Sequence, residues 1–175
     1  MWGRVQQERD ESYMRLALAE AEKALATGDI PVGAVLVMGE QVVGRGHNLR
    51  EAQQNALLHA EICAIEEACH TLGRWRLNGC TLYVTMEPCP MCAGAIINAR
   101  IDRVVYGVAD EKAGCCGSVA NFFAMPFNHS PSITFGVLPQ ECTAMLQRFF
   151  GQLRAKDHLP ELDLAKAHHN ATEMK

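Results

Sequence analysis

Four residues of the 175-residue chain have the types and spacing that metal-assisted hydrolysis requires. They are His59 and Glu61 in a His-Ala-Glu triplet, and Cys89 and Cys92 in Pro-Cys-Pro-Met-Cys. One imidazole and two thiolates suit zinc, and three protein ligands leave the fourth tetrahedral position open, as a catalytic site needs. A closed structural site would need a fourth ligand, for which Cys63, Cys69 and His70 on the same segment are available. Without metal, a Cys-x-x-Cys pair also reads as a redox motif. Zinc lowers the pKa of water to about 7. A carboxylate beside that water, Glu61, is the group that takes its proton and passes it to a substrate. On its own, Glu61 is also what a solvated first helical turn favours.

These roles constrain the elements that hold the four residues. Residues i and i+2 on a regular helix point about 200° apart. His59 and Glu61 therefore converge only if His59 lies at the helix start, outside the regular turn. Pro90 suits the first position of a helix, where the missing N–H costs nothing, and the free N–H groups there favour thiolate at Cys89 and Cys92. The patterning predicts helices from Glu11 to Thr27, through Leu58, Ile62, Ile65, Cys69 and Leu72 to Gly73, from Pro88 to Arg100, and from Pro139 onward with Cys142, Met145, Leu146, Phe149 and Leu153 on its apolar face. Strands are predicted at 32–38, 41–46, 81–86, 103–108 and 133–137, the first two as a hairpin about Gly39-Glu40. His47 to Asn55 reads as loop. The order α-β-β-α-β-α-β-β-α implies an α/β fold with a mixed, five-stranded sheet covered by helices on both faces. In it the hairpin makes one strand pair antiparallel, and the later β-α-β steps need parallel, right-handed crossovers. Residues 1–156 form one domain, and residues 157–175 a polar, fraying tail.

Composition excludes several classes. Hydrophobic residues make up 49% and charged residues 21%, which argues against disorder. No apolar run approaches the ~18 residues of a membrane helix, and the N-terminus lacks an apolar signal core, so a cytoplasmic protein without membrane association is expected. Eight cysteines in that setting read as reduced thiols, six of them without a chemical role. Net charge is −4, but it is unevenly spread: −5 over residues 1–71, +3 over 72–156 and −2 over 157–175. A locally basic face is possible, short of the basic stripe of a general nucleic-acid binder.

The pattern His-x-Glu followed by Pro-Cys-x-x-Cys is the zinc deaminase signature, and the chain resembles bacterial tRNA-specific adenosine deaminases over roughly residues 11–155. The resemblance rests on Pro31-Val32-Gly33-Ala34-Val35, His47-Asn48, His59-Ala60-Glu61-Ile62, 81–89, Met91-Cys92-Ala93-Gly94-Ala95 and Arg103-Val104-Val105-Tyr106-Gly107. It implies a three-layer α/β/α sandwich of cytidine deaminase type, with one zinc held by His59, Cys89 and Cys92, and no organic cofactor. The implied reaction is hydrolytic deamination of the wobble adenosine to inosine in a tRNA anticodon stem-loop, expected to be that of arginine tRNA. Zinc-activated hydroxide would act there with Glu61 as proton shuttle. It also implies substrate contacts at Ile30, Asn48, Asp110, Lys112, Asn128 and His129, and a homodimer whose RNA site spans both chains. Plainer roles exist for each contact: a core side chain for Ile30, a turn residue for Asn48, surface charges for Asp110 and Lys112, a loop for Asn128-His129. Arg45, Arg50, Arg74, Arg76, Arg148, Arg154 and Lys156 are available for phosphates. The chain departs from the family at Ala109, where some relatives carry arginine, at Cys115-Cys116, and in a shortened 120–127 segment. These departures affect RNA contacts rather than the chemistry. Two other readings use the same residues: a deaminase of a free base or nucleoside, and a zinc-stabilised module without activity.

Overall fold

The computed structural model describes residues 2–157. The elements are α1 (Trp2–Thr27), β1 (Gly33–Met38), β2 (Gln41–His47), α2 (Arg50–Gln53), α3 (Ala60–Leu72), β3 (Cys80–Met86), α4 (Pro90–Ala99), β4 (Arg103–Val108), β5 (Ser132–Phe135) and α5 (Pro139–Asp157), with a 3-10 turn at Phe122–Ala124. The expected tail lies outside the described residues, except for Asp157, which ends α5.

The five strands form one sheet in the order β2-β1-β3-β4-β5. β1 pairs antiparallel with β2 and also with β3, while β3–β4 and β4–β5 are parallel. The hairpin supplies one antiparallel pair, as expected, and β1–β3 is a second. The crossover through α3 carries the chain past β1, so β2 and β3 run in the same direction without touching.

Alternation along the strands separates two cores. Ala34, Leu36, Leu82, Val84, Val104 and Tyr106 face α3 and α4, whereas Val35, Val37, Tyr83 and Val105 face Met14 and Ala17 of α1 and Cys142 of α5. Each large apolar side chain so buried contributes about 1.5–3 kcal/mol. The result is the three-layer arrangement expected.

The seam between β2 and α3 positions the first ligand. Ala60, Ala64 and Ala68 recur every four residues on α3 and are fully buried. Gly44 and Gly46 of β2 lie beneath them, and a Cβ on either would overlap the backbone of Ala64 or Ala60. The helix thus rests on bare strand backbone. Ile62, Ile65, Cys69 and Leu72, which the periodicity places on the packed face, flank this alanine stripe and stay partly exposed.

Three local expectations are corrected. Helix α1 begins nine residues before Glu11. Its first turns are polar, so no apolar period marks them, yet Gln6–Asp10 and Gln7–Glu11 pairs link successive turns and Arg103 anchors Asp10. The stretch read as loop contains α2, because the buried Asp29 carboxylate accepts the N–H groups of Glu51 (2.7 Å) and Ala52 (3.1 Å) from twenty-two residues away. Strand β5 closes at Phe135 because Gly136 turns the chain with φ +82°. On α5, Cys142, Met145 and Phe149 are buried as expected, while Leu153 is 40% exposed.

Candidate active site

The parallel strands β3 and β4 end side by side, and the segment Glu87-Pro88-Cys89 leads from β3 into α4. Crevices beyond the carboxyl ends of parallel strands are where α/β sheets bind ligands. Cys89 is the N-cap of α4 with extended backbone (φ −76°, ψ 175°), Pro90 follows at N1, and Cys92 lies one turn in, fully buried. His59 is likewise the N-cap of α3 (φ −78°, ψ 155°). It therefore stands outside the regular turn, as convergence with Glu61 required. Neither N-cap side chain makes a capping hydrogen bond. Asn48 supplies the missing cap from another segment: its Oδ1 accepts the Ala60 N–H at 3.1 Å and its Nδ2 donates to Ile30 O at 3.0 Å. His59 and Cys89 are thus free to turn toward each other.

His59 Nδ1 lies 3.6 Å from Cys89 Sγ and 3.7 Å from Cys92 Sγ, and all three ligand atoms fall within 4.8 Å of one another. Tetrahedral zinc, with Zn–N and Zn–S bonds of about 2.0–2.3 Å, separates such ligand atoms by roughly 3.6 Å. The donor set fits the ion. Cys63, Cys69 and His70 do not join the cluster, so the closed structural site is not formed.

The electrostatics follow from crowding. A hydrogen bond from the Cys92 thiol, with His59 beside it, pulls Cys89 down to about 4 although burial opposes this. The Cys89 sulfur and burial push Cys92 well up. Glu61 is 4% exposed and has no cation paired with it among the described residues. Burial pushes its carboxyl up to about 7, against a pull from its own backbone N–H. A carboxyl in that range can both take and return a proton at neutral pH.

A cavity of about 250 Å³ opens onto this cluster. His59, Glu61 and Cys89 form its polar floor, and Ile30, Val32, Leu146 and Phe150 its apolar walls. Asn48, Asp110 and Arg50 complete the rim. A larger, shallower hollow of about 740 Å³ lies between α1 and β5, where the charged pair Asp10 and Arg103 is engaged internally.

Of the expected substrate contacts, Ile30, Asn48 and Asp110 line the cavity. Lys112 is exposed, and its N–H donates to Asp110 Oδ1. Asn128 and His129 stand apart: His129 bonds Ile101 O at 2.6 Å, beyond the C-terminal end of α4, about 15 Å from the end that carries Cys89. Leu146, Phe150 and Glu87 also border the cavity, though no sequence motif marks them. Leu146 lies on the apolar face that the periodicity assigns to α5, whereas Phe150 lies outside it. Phe150 lies off the buried face set by Cys142, Met145 and Phe149, and that is the one local sign of its different task.

Comparison with known proteins agrees with this geometry. Residues 7–108 match the family model described as the cytidine and deoxycytidylate deaminase zinc-binding region. A Bacillus subtilis protein named tRNA-specific adenosine deaminase is 48% identical over 159 residues, covering 90% of this chain and 99% of that protein. A solved structure from work on A-to-I editing by tRNA:A34 deaminases at the wobble position superposes with a TM-score of 0.75 at 43% identity, covering 77% of this chain and 99% of the other. A guanine deaminase from Nitrosomonas europaea shares the fold, with a TM-score of 0.67 at 21% identity over 81% of this chain and 84% of the other.

Proposed function

We propose, for a chain that belongs to the cytidine and deoxycytidylate deaminase family, that the cavity receives one adenine turned out of an RNA loop. The protein is a zinc-dependent tRNA adenosine deaminase: adenosine and water give inosine and ammonia at the wobble position of tRNA. The observation that carries the chemistry is the three-ligand cluster with one side open to the cavity, beside a buried carboxyl. Relatedness to tRNA-specific deaminases, far above that to the guanine deaminase, favours tRNA over a free base.

When bound to His59, Cys89 and Cys92, zinc acts as a Lewis acid and lowers the pKa of water toward neutrality. The chain's own residues do the rest. Glu61 takes one proton from the water and delivers it to N1 of the adenine, then takes the second proton from the oxygen added at C6 and passes it to the departing amine, which leaves as ammonia. Asn48 has spent its oxygen on Ala60 and one N–H on Ile30. Its second N–H is free for an acceptor on the base. Ile30, Val32, Leu146 and Phe150 pack against the ring faces and exclude water, and Arg50 at the rim meets backbone phosphate. Unpaired loop bases can be presented this way at little cost, which suits an anticodon loop.

The protein works as a homodimer in the cytoplasm. Val119, Met125 and Phe127 are exposed apolar side chains, the last packed edge-on against Phe122, of the kind that subunits cover. No helix among the described residues is long and apolar enough to cross a membrane. The deciding experiment incubates the protein with arginine tRNA bearing a wobble adenosine and sequences the product. Inosine at that position is expected. Release of ammonia from free guanine or cytosine, with unaltered tRNA, would favour a free-base deaminase instead.

A further inference from the structure

Glu87 is a buried carboxylate that the chemistry above does not use. It is 3% exposed and pairs with no cation among the described residues. Its charge is met by the loop that follows β4. Oε1 accepts the N–H of Cys116 (2.9 Å) and of Ser118 (3.1 Å). Oε2 accepts the N–H of Asp110 (2.9 Å) and the Ser118 hydroxyl. Backbone bonds from Glu87 N to Val108 O and from Cys115 N to Pro88 O, both 2.9 Å, stitch the same two segments together. Gly114 passes directly over the carboxylate, where any Cβ would overlap it. A buried carboxylate is retained at a cost in solvation, and four donors converging on one side chain can be served only by a group that donates nothing itself.

The loop so held contributes Asp110 and Ala113 to the cavity wall, and Glu87 stands two residues before the ligand Cys89. We propose that Glu87 is a positioning residue for substrate recognition: it fixes the 109–118 loop relative to the zinc-ligand segment, so that the wall meets the incoming nucleotide in one geometry. This rests on the RNA deaminase reading above. Because the clamp acts on the wall and touches neither Glu61 nor a ligand atom, it governs substrate binding rather than the chemical step.

Glu87→Gln tests this. An amide must turn its NH₂ toward either Asp110 N–H or the Cys116 and Ser118 N–H groups, opening one arm of the clamp. On the zinc-loaded full chain, KM for an anticodon stem-loop should rise about 10-fold, the equivalent of one lost charge-assisted hydrogen bond, with kcat changed less than about 2-fold. Zinc should stay at one per chain. Hydrogen exchange should quicken at Asp110, Cys116 and Ser118 and not along α3. Ser118→Ala removes a single donor and serves if the first variant fails to fold. It should raise KM in the same direction by about 3-fold. An unchanged KM in the folded variant, or a fall in kcat in step with zinc content, overturns the proposal. If wild type makes no inosine, the RNA deaminase reading fails, and the exchange experiment alone then decides whether Glu87 clamps the loop.

Discussion

At the scale of single residues, Glu61 has two neighbourhoods that pull in opposite directions. Its own backbone N–H would keep it ionised, and burial would keep it protonated. The balance places it where proton exchange at neutral pH is easy. Glu61→Gln keeps the shape and removes the exchange. Zinc content measured by metal analysis should be unchanged, while inosine formation falls at least ~100-fold, the lower end of general acid–base contributions. Cys89→Ala removes a ligand from a three-ligand set. Purified variant should carry little or no zinc and melt at lower temperature, because metal binding is coupled to folding. Full zinc occupancy in that variant would contradict the ligand assignment.

Elements place those residues, and two contacts show how. The seam of Gly44 and Gly46 under Ala60, Ala64 and Ala68 sets the height of α3 above β2, and with it the position of His59. Gly46→Ala forces the helix outward. It should cost about 2 kcal/mol in denaturant unfolding, typical of overpacking, and should lower zinc affinity, since His59 heads that helix. On the opposite face, Asp10 makes a two-pronged pair with Arg103 (2.8 and 2.7 Å) and accepts from Tyr83 at 2.9 Å, joining α1 to β3 and β4. Burial alone would raise the Asp10 carboxyl, but the bonds from Arg103, Gln6 and Tyr83 outweigh it and hold the pKa below its ordinary value. A lowered folded-state pKa contributes stability that is full above the unfolded value and is lost as pH falls through the folded one. Asp10→Asn should therefore cost about 3 kcal/mol near neutral pH, the low end for breaking a buried pair. Its deficit relative to wild type should shrink as pH falls below about 4. A deficit that stays constant down to pH 2 would show that the pair contributes nothing through its charge.

For the molecule as a whole, the question is how a chain of net charge −4 holds a polyanion. The middle segment, 72–156, is positive, and the cavity rim carries Arg50. Not every basic residue is free for phosphate: Arg148 is paired with Glu22, Arg74 donates to Asn78 O, and Arg103 is committed to Asp10. Arg45, Arg76, Arg154 and Lys156 pair with no carboxylate among the described residues and remain for RNA on one subunit, and a dimer would double them. Filter binding of an anticodon stem-loop should weaken as salt rises, each phosphate contact contributing a slope of about −0.7 for single strands. Affinity indifferent to salt would remove the RNA partner. Sedimentation should give twice the chain mass, and replacing Phe127 by Asp should reduce it to one.

The metal chemistry was legible in the sequence because it depends on residue type and short spacing. A His-x-Glu needs only that His59 cap a helix, and a Cys-x-x-Cys spans one helical turn. Strand and helix identities followed from apolar periods of two and 3.6. The tertiary structure alone decided the insertion of β1 between β2 and β3, the capping of α2 by Asp29, the polar extension of α1, and the clamp of Glu87 on a loop some twenty to thirty residues ahead. It alone also brought Leu146 and Phe150 to the cavity and left His129 at the far end of α4. Each of these depends at least in part on hydrogen bonds or contacts between distant segments, as the Asp10–Arg103 pair does for α1. No local period encodes them, because they exist only once the sheet has brought the segments together.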